Sequence, residues 1–129
     1  MKFRTTCLTT LLASVGLASG AWAQGISDNA VRIGVISDTS SAYADIGGKG
    51  TVAAATMAIK DFGGTVLGKP IELLSVDHQN KADIGATRAR EWFDRENVDM
   101  VIGLGNTAVH NAVATVAKEK NKVLINTEA

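Results

Sequence analysis

Apolar residues in this chain gather into short runs separated by polar and glycine-rich stretches, and the runs alternate between strand-like and helix-like spacing. Val31 to Ser37 is nearly continuous and β-branched, which suits a central strand covered on both faces. From Asp45, placed to cap a helix, to Phe62 the residues Val52, Ala55, Ile59 and Phe62 recur at helical spacing, and Gly63-Gly64 supplies the stop. The alanines at 53, 54, 55 and 58 either let this first helix lie close to a sheet or simply favour helix. Gly68-Lys69-Pro70 predicts a turn, and Ile71 to Asp77 a second strand. A second helix is expected near Asp83 to Glu96, with Ala86, Ala89, Trp92 and Phe93 inward. Its exposed side would carry the pairs Arg90 with Asp94 and Glu91 with Arg95. Asp99 to Leu104 reads as a third strand, and Thr107 as the cap of a third helix that turns Val109, Val113 and Val116 inward. Lys118, Lys120 and Lys122 suit the negative end of that helix as solvated charges, and Val123 to Asn126 reads as a fourth strand.

Strands and helices in strict alternation require a parallel sheet with right-handed crossovers and helices on both faces, a three-layer α/β arrangement. The expected strand order is 2-1-3-4. In that order the winding reverses between strands one and three, and open sheets of this kind take ligands at the carboxyl ends of such strands. The segments Asp38 to Ile46 and Gly105 to Ala108 leave those ends.

The first loop offers hydroxyls and one ring in Ser40, Ser41 and Tyr43. In the second, Asn106, Thr107 and Ala108 open a helix, where unpaired N–H groups would hold an anion such as a carboxylate without a lysine or arginine. Serine and threonine at helix starts also serve as plain caps, so only the convergence of both loops at one switch point favours a ligand.

The opening of the chain changes the setting. Lys2 and Arg4 precede an apolar stretch, Leu8 to Ala18, and Ala21-Trp22-Ala23 gives a small-x-small cleavage pattern, so residues 1–23 are expected to be an export signal and residues 24–129 the mature chain. The apolar stretch falls short of the roughly 20 residues that cross a bilayer, which disfavours a membrane anchor. Loss of Lys2 and Arg4 leaves 11 of the 13 basic residues against 13 acidic ones, a balance that implies no nucleic acid or other polyanion as partner. Cys7, the one cysteine, lies within the signal, behind residues that do not form a lipid-attachment site. The mature chain therefore has no disulfide and no thiolate for a metal. His78 and His110 fall on different units, and no metal site is expected. Asp77 fits a hinge or a ligand neighbour better than a catalytic acid, and His110 either touches a ligand or is solvated. No nucleophile stands beside a base, which favours binding over catalysis and implies neither an enzyme nor a cofactor. The chain stops just after an apolar strand, and we expect it to be the front of a longer protein.

Four segments carry a resemblance. Val31-Arg32-Ile33-Gly34-Val35-Ile36, Ser41-Ala42-Tyr43-Ala44-Asp45, the stretch Gly64 to Glu72 and Asp77-His78-Gln79-Asn80-Lys81-Ala82-Asp83 resemble the amino-terminal lobe of type I periplasmic binding proteins. The Leu/Ile/Val-binding group that serves ABC importers is the most similar. The resemblance implies a flavodoxin-like sheet forming part of the first of two lobes that close on a small carboxylate or amino acid. It also implies a monomer in the periplasm that delivers its ligand to an ABC permease. Carried over by position, Tyr43 would lie beside the ligand, Thr107 would donate a hydroxyl, and Ala129 would offer its backbone. Glu128 stands where a small residue is common, and related binders take aromatic and other organic acids.

Two alternatives remain. Gly103-x-Gly105-x-x-Ala108 follows a strand, opens a helix and has Glu128 about 20 residues beyond, the spacing of a dinucleotide-binding oxidoreductase. A ligand-sensing receptor domain would share the fold.

Overall fold

The computed structural model describes Ile26 and residues 28–128, so the expected export signal with Cys7 and the backbone contact expected at Ala129 lie outside the described residues. The elements run β1 (Val31–Ser37), α1 (Gly48–Phe62), β2 (Thr65–Val66), β3 (Lys69–Asp77), α2 (Ala82–Arg95), β4 (Met100–Gly103), α3 (Thr107–Glu119) and β5 (Val123–Asn126). They form one sheet in the order β2-β3-β1-β4-β5. The four expected strands take the expected order, with β1 in the centre and β3, β4 and β5 parallel to their neighbours.

The sheet is mixed, which corrects the expectation of a purely parallel one. Thr65–Val66 pairs antiparallel with Lys69–Pro70, so β3 begins two residues before the expected Ile71 and the segment read as a turn is its entry. Leu67 and Gly68 form the tip of this small hairpin, both in the left-handed region.

Most of the core lies on the face covered by α2 and α3. Trp92, Ala89 and Phe93 from α2 and Val109, Val113 and Val116 from α3 enclose Ile36 and Val101 of the sheet. Each of the larger side chains among them contributes about 1.5–3 kcal/mol by leaving water. Two glycines set the distances: a Cβ on Gly34 would overlap the Trp92 ring, and one on Gly85 would lie 2.7 Å from Val109.

The other face is covered more thinly. Within α1 only Gly48 is buried. Val52, Ala55 and Ile59 are half-buried as the spacing predicts, whereas Phe62 is 68% exposed because Gly63, left-handed at φ 100°, turns the chain away at that residue. Ala53, Ala54 and Ala58 face outward, so helix propensity explains them.

Several local expectations are corrected. α1 begins at Gly48 behind Gly47 and not at Asp45, because the preceding residues are drawn into turns, with the Ala44 N–H on the Ser41 carbonyl and that of Ile46 on Tyr43. α2 begins at Ala82, one residue early, with Lys81 at its N-cap. The expected pairs along α2 give way to others. Arg90 reaches Glu119 at 3.3 Å and Asp94 meets Lys120 at 2.6 Å, both across to α3, and Arg88 holds Glu91 at 3.0 Å. Lys120 is thus both partly solvated and paired with Asp94.

Candidate functional site

Register alone brings the strand exits together. Ser37 lies beside Asp77, Ile36 beside Gly103, and Gly103 beside Asn126, so β1, β3, β4 and β5 all end on one edge. Backbone bonds continue the alignment past the sheet: the His78 N–H donates to Ser37, that of Leu104 to Ile36 and that of Thr127 to Gly103.

The loop after β1 is organised by a residue not singled out from sequence, Asp38. This carboxylate is 1% exposed and accepts the N–H groups of Ser40, Ser41 and Tyr43 and the Ser41 hydroxyl at 2.5 Å. Burial alone would raise its pKa, but those donors outweigh it and hold the carboxyl below its ordinary range. The signal was an aspartate followed directly by Thr39, Ser40 and Ser41, a pattern that folds the chain over the side chain. Ser40 and Ser41 are exposed and Tyr43 is half-buried.

Asp77, at the end of β3, accepts the N–H groups of Thr39 at 3.1 Å and Gln79 at 2.8 Å. Burial opposes ionisation here too, yet hydrogen bonds led by the Ser40 hydroxyl bring its pKa down to about 2. The Ser41 hydroxyl serves the neighbouring Asp38 carboxylate.

The loop after β4 departs further from expectation. Asn106, not Thr107, caps α3: its Oδ1 accepts the N–H groups of Ala108 at 2.7 Å and Val109 at 3.1 Å. Its Nδ2 donates to Asn80 Oδ1 at 2.6 Å, tying this loop to the one after β3. The carbonyl oxygen of asparagine spans both amides, and Thr107 becomes the first helical residue, exposed like Ala108. The amide of Ala108, which the sequence offered to an anion, is thereby engaged.

Glu128 joins the two loops. Its Oε1 accepts the hydroxyl of Ser37 at 2.9 Å and that of Thr51, in the first turn of α1, at 2.5 Å. The carboxylate lies against Gly47 and Gly105, where a Cβ on Gly105 would come within 2.6 Å of Oε2. Gly103 also faces it, at φ 109°, and a Cβ there would meet the Ile36 carbonyl oxygen at 2.6 Å. The glycines that suggested a dinucleotide fingerprint thus admit the backbone of β1 and the side chain of Glu128. Ser37, Gly47 and Thr51 were not foreseen, because they become neighbours only when β1, α1 and β5 meet.

His78, in the loop that leaves β3, is fully buried. Its Nδ1 accepts the Asn80 N–H at 3.0 Å, which leaves the proton of the neutral ring on Nε2, and that atom has no partner among the described residues. Burial lowers its pKa, against the raising influence of the charges on Asp38, Asp77 and Glu128. His110 is half-buried, with Nδ1 shielded and unpaired among the described residues. No group of three or more metal-ligating side chains occurs among the described residues.

The arrangement can position hydrogen-bonding groups around a small molecule at the sheet edge. Comparison with known proteins agrees with this geometry. Residues 30–129 match the family model described as periplasmic binding protein. No curated protein matches the chain. Among solved structures, a periplasmic binding protein from Burkholderia mallei shares 53% identity over 76% of this chain and 26% of its own, with a TM-score of 0.75. A branched-chain amino acid ABC transporter periplasmic ligand-binding protein from Burkholderia xenovorans shares 45% over 77% and 26%, with a TM-score of 0.74. A solute-binding protein of an ABC transporter from Rhodopseudomonas palustris, solved with 3,4-dihydroxybenzoic acid, shares 27% over 77% and 27%, with a TM-score of 0.71. The chain thus spans about a quarter of each of these solved proteins. Nothing found supports the dinucleotide alternative. With its sheet order, its aligned strand exits and these matches, the chain belongs to the type I periplasmic binding proteins of ABC transporters.

Proposed function

We propose that this chain forms the first-lobe part of a substrate-binding component of an ABC importer. That component captures a small carboxylate or amino acid and delivers it to a membrane permease without altering it. The observation that carries the reading is the convergence of the loops after β1, β3, β4 and β5 on one edge, tied by the Asp77 to Thr39, Asn106 to Asn80 and Glu128 to Ser37 bonds. The relatives add two ligand classes, branched-chain amino acids by the description of one and a dihydroxybenzoate bound by another. The basic and apolar opening of the chain supports export to the periplasm with cleavage after Ala23. The slight acidity of residues 24–129 supports a partner other than nucleic acid, and the family supports action as a monomer beside its permease.

Ser40, Ser41, Tyr43, Asn106, Thr107, Ala108, Glu128 and Ala129 remain the proposed ligand-side residues, with Tyr43 and Thr107 the ones free to turn toward a ligand. The test is a panel of amino acids, aliphatic acids and aromatic acids added to the ¹⁵N-labelled secreted chain at millimolar concentration, followed by thermal shift on any hit. A true ligand moves the amides of residues 38–46 and 104–108 and stabilises the fold as RT ln(1 + [L]/Kd). Silence across the panel together with a response to NADH would reverse the assignment.

A further inference from the structure

Glu128 is a carboxylate of the strand-exit edge that keeps one oxygen without a donor among the described residues. Asp38 uses both oxygens on loop donors, and Asp77 takes the amides of Thr39 and Gln79 on Oδ1, inside its own loop pair. On Glu128, Oε1 receives the hydroxyls of Ser37 and Thr51, while Oε2 receives no donor among the described residues. The side chain is half-buried, and none of the ion pairs among the described residues includes it. Two hydroxyls thus fix the orientation of a charge whose second oxygen is left open.

Its surroundings explain why it stays there. Gly47 precedes α1 and caps it without a side chain, so the carboxylate lies at the positive end of a 15-residue helix. Gly47 and Gly105 leave the width of the carboxylate between the two loops, and a Cβ at either position would collide with it. The place where a ligand anion could use the start of α1 is already filled by an anion of the protein itself.

We propose that Glu128 determines specificity by charge: it excludes a ligand carboxylate from the recess between Gly47 and Gly105 and admits a cationic N–H donor, an ammonium or amidinium, onto Oε2. A second anion beside Glu128 would be repelled in a partly desolvated recess, whereas an ammonium or amidinium completes the free oxygen with a charge-assisted bond. A ligand carboxylate, where one is present, must then lie elsewhere, beside Tyr43 or Thr107. His78 adds no positive charge nearby, since burial keeps its ring neutral. This inference rests on the proposed solute-binding role and narrows its ligand class.

The experiment pairs each acid with its cationic counterpart of the same shape, benzoate with benzamidine and 4-methylpentanoate with isoamylamine, alongside leucine. Each is titrated by NMR into the secreted chain and into E128Q and E128D. The cationic member and leucine are expected to bind roughly tenfold to a hundredfold more tightly than the matched acid, the worth of one charge-assisted bond. E128Q should lose that preference and E128D, which keeps the charge, should retain it. Acids that bind the unmodified chain as tightly as their cationic partners overturn the inference while leaving the solute-binding role intact, and this holds even if E128Q fails to fold. An unchanged preference in folded E128Q overturns it as well. Silence toward every probe and toward the whole acid and amino acid panel removes the solute-binding role, and the inference falls with it.

Discussion

Trp92 rests directly on Gly34: a Cβ at position 34 would overlap the six-membered ring of the indole. The contact joins α2 to the central strand, and Trp92 is only 3% exposed. Gly34→Ala is therefore expected to destabilise the fold by about 1–3 kcal/mol, the usual cost of overpacking. Urea unfolding followed by Trp92 fluorescence checks it; an unchanged midpoint would mean that the helix moves aside freely.

Asn106 and Thr107 are neighbours of unequal weight. Loss of the Asn106 side chain removes the cap of α3 and the bond to Asn80, so Asn106→Ala should cost about 1 kcal/mol or somewhat more. Thr107→Ala should stay within about 0.5 kcal/mol, since its side chain is exposed. Thermal melts of the two variants side by side decide it, and the reverse ranking would restore Thr107 as the cap.

Acid should weaken the protein in two separate windows. His78 has a folded pKa below its ordinary 6.5, so the stabilisation from keeping it neutral is complete above 6.5 and declines as the pH falls through that value toward the folded one. Asp77 has its carboxyl lowered from 3.8 to about 2, so its contribution is present above 3.8 and is lost as the pH falls from there to about 2. His78→Asn should flatten the first slope and Asp77→Asn the second in unfolding free energies measured against pH. Parallel curves for a variant and the parent would refute the assignment for that residue.

Affinity should be low in the 129-residue chain. Two or three charge-assisted bonds at about 1.5–3 kcal/mol each must offset an association cost of at least about 4 kcal/mol. Micromolar binding needs about 8 kcal/mol, so dissociation constants are expected in the millimolar range. A micromolar isotherm from residues 24–129 in calorimetry would contradict this.

How much of this was legible depended on whether the information was local. The stripe of Ala89, Trp92 and Phe93, the valines of α3 and the near-continuous apolarity of β1 repeat with the period of their elements, and from their alternation the sheet order followed. Hairpin strand β2 escaped notice because Thr65–Val66 is too short to show a period between glycines. The start of α1 depended on how the Asp38 carboxylate folds its own loop, and the ion pairs of α2 on partners distant in sequence, Glu119 and Lys120 at the end of α3. Much the same holds at the site. Which loops share an edge follows from topology, but that Glu128 lies between Gly47 and Gly105 follows only from the fold.

The two flanks of the sheet differ in how they meet other molecules. On one side the hairpin ends the ladder with a two-residue strand opposite Lys69 and Pro70, a blunt border that gives an incoming chain little to extend. On the other, β5 is the last strand among the described residues, and Val123 and Ile125 are 56% and 47% exposed. Among the described residues, β5 is thus the border on which an added strand meets less resistance. A lysine placed at Ile125 is the simplest way to keep the material soluble.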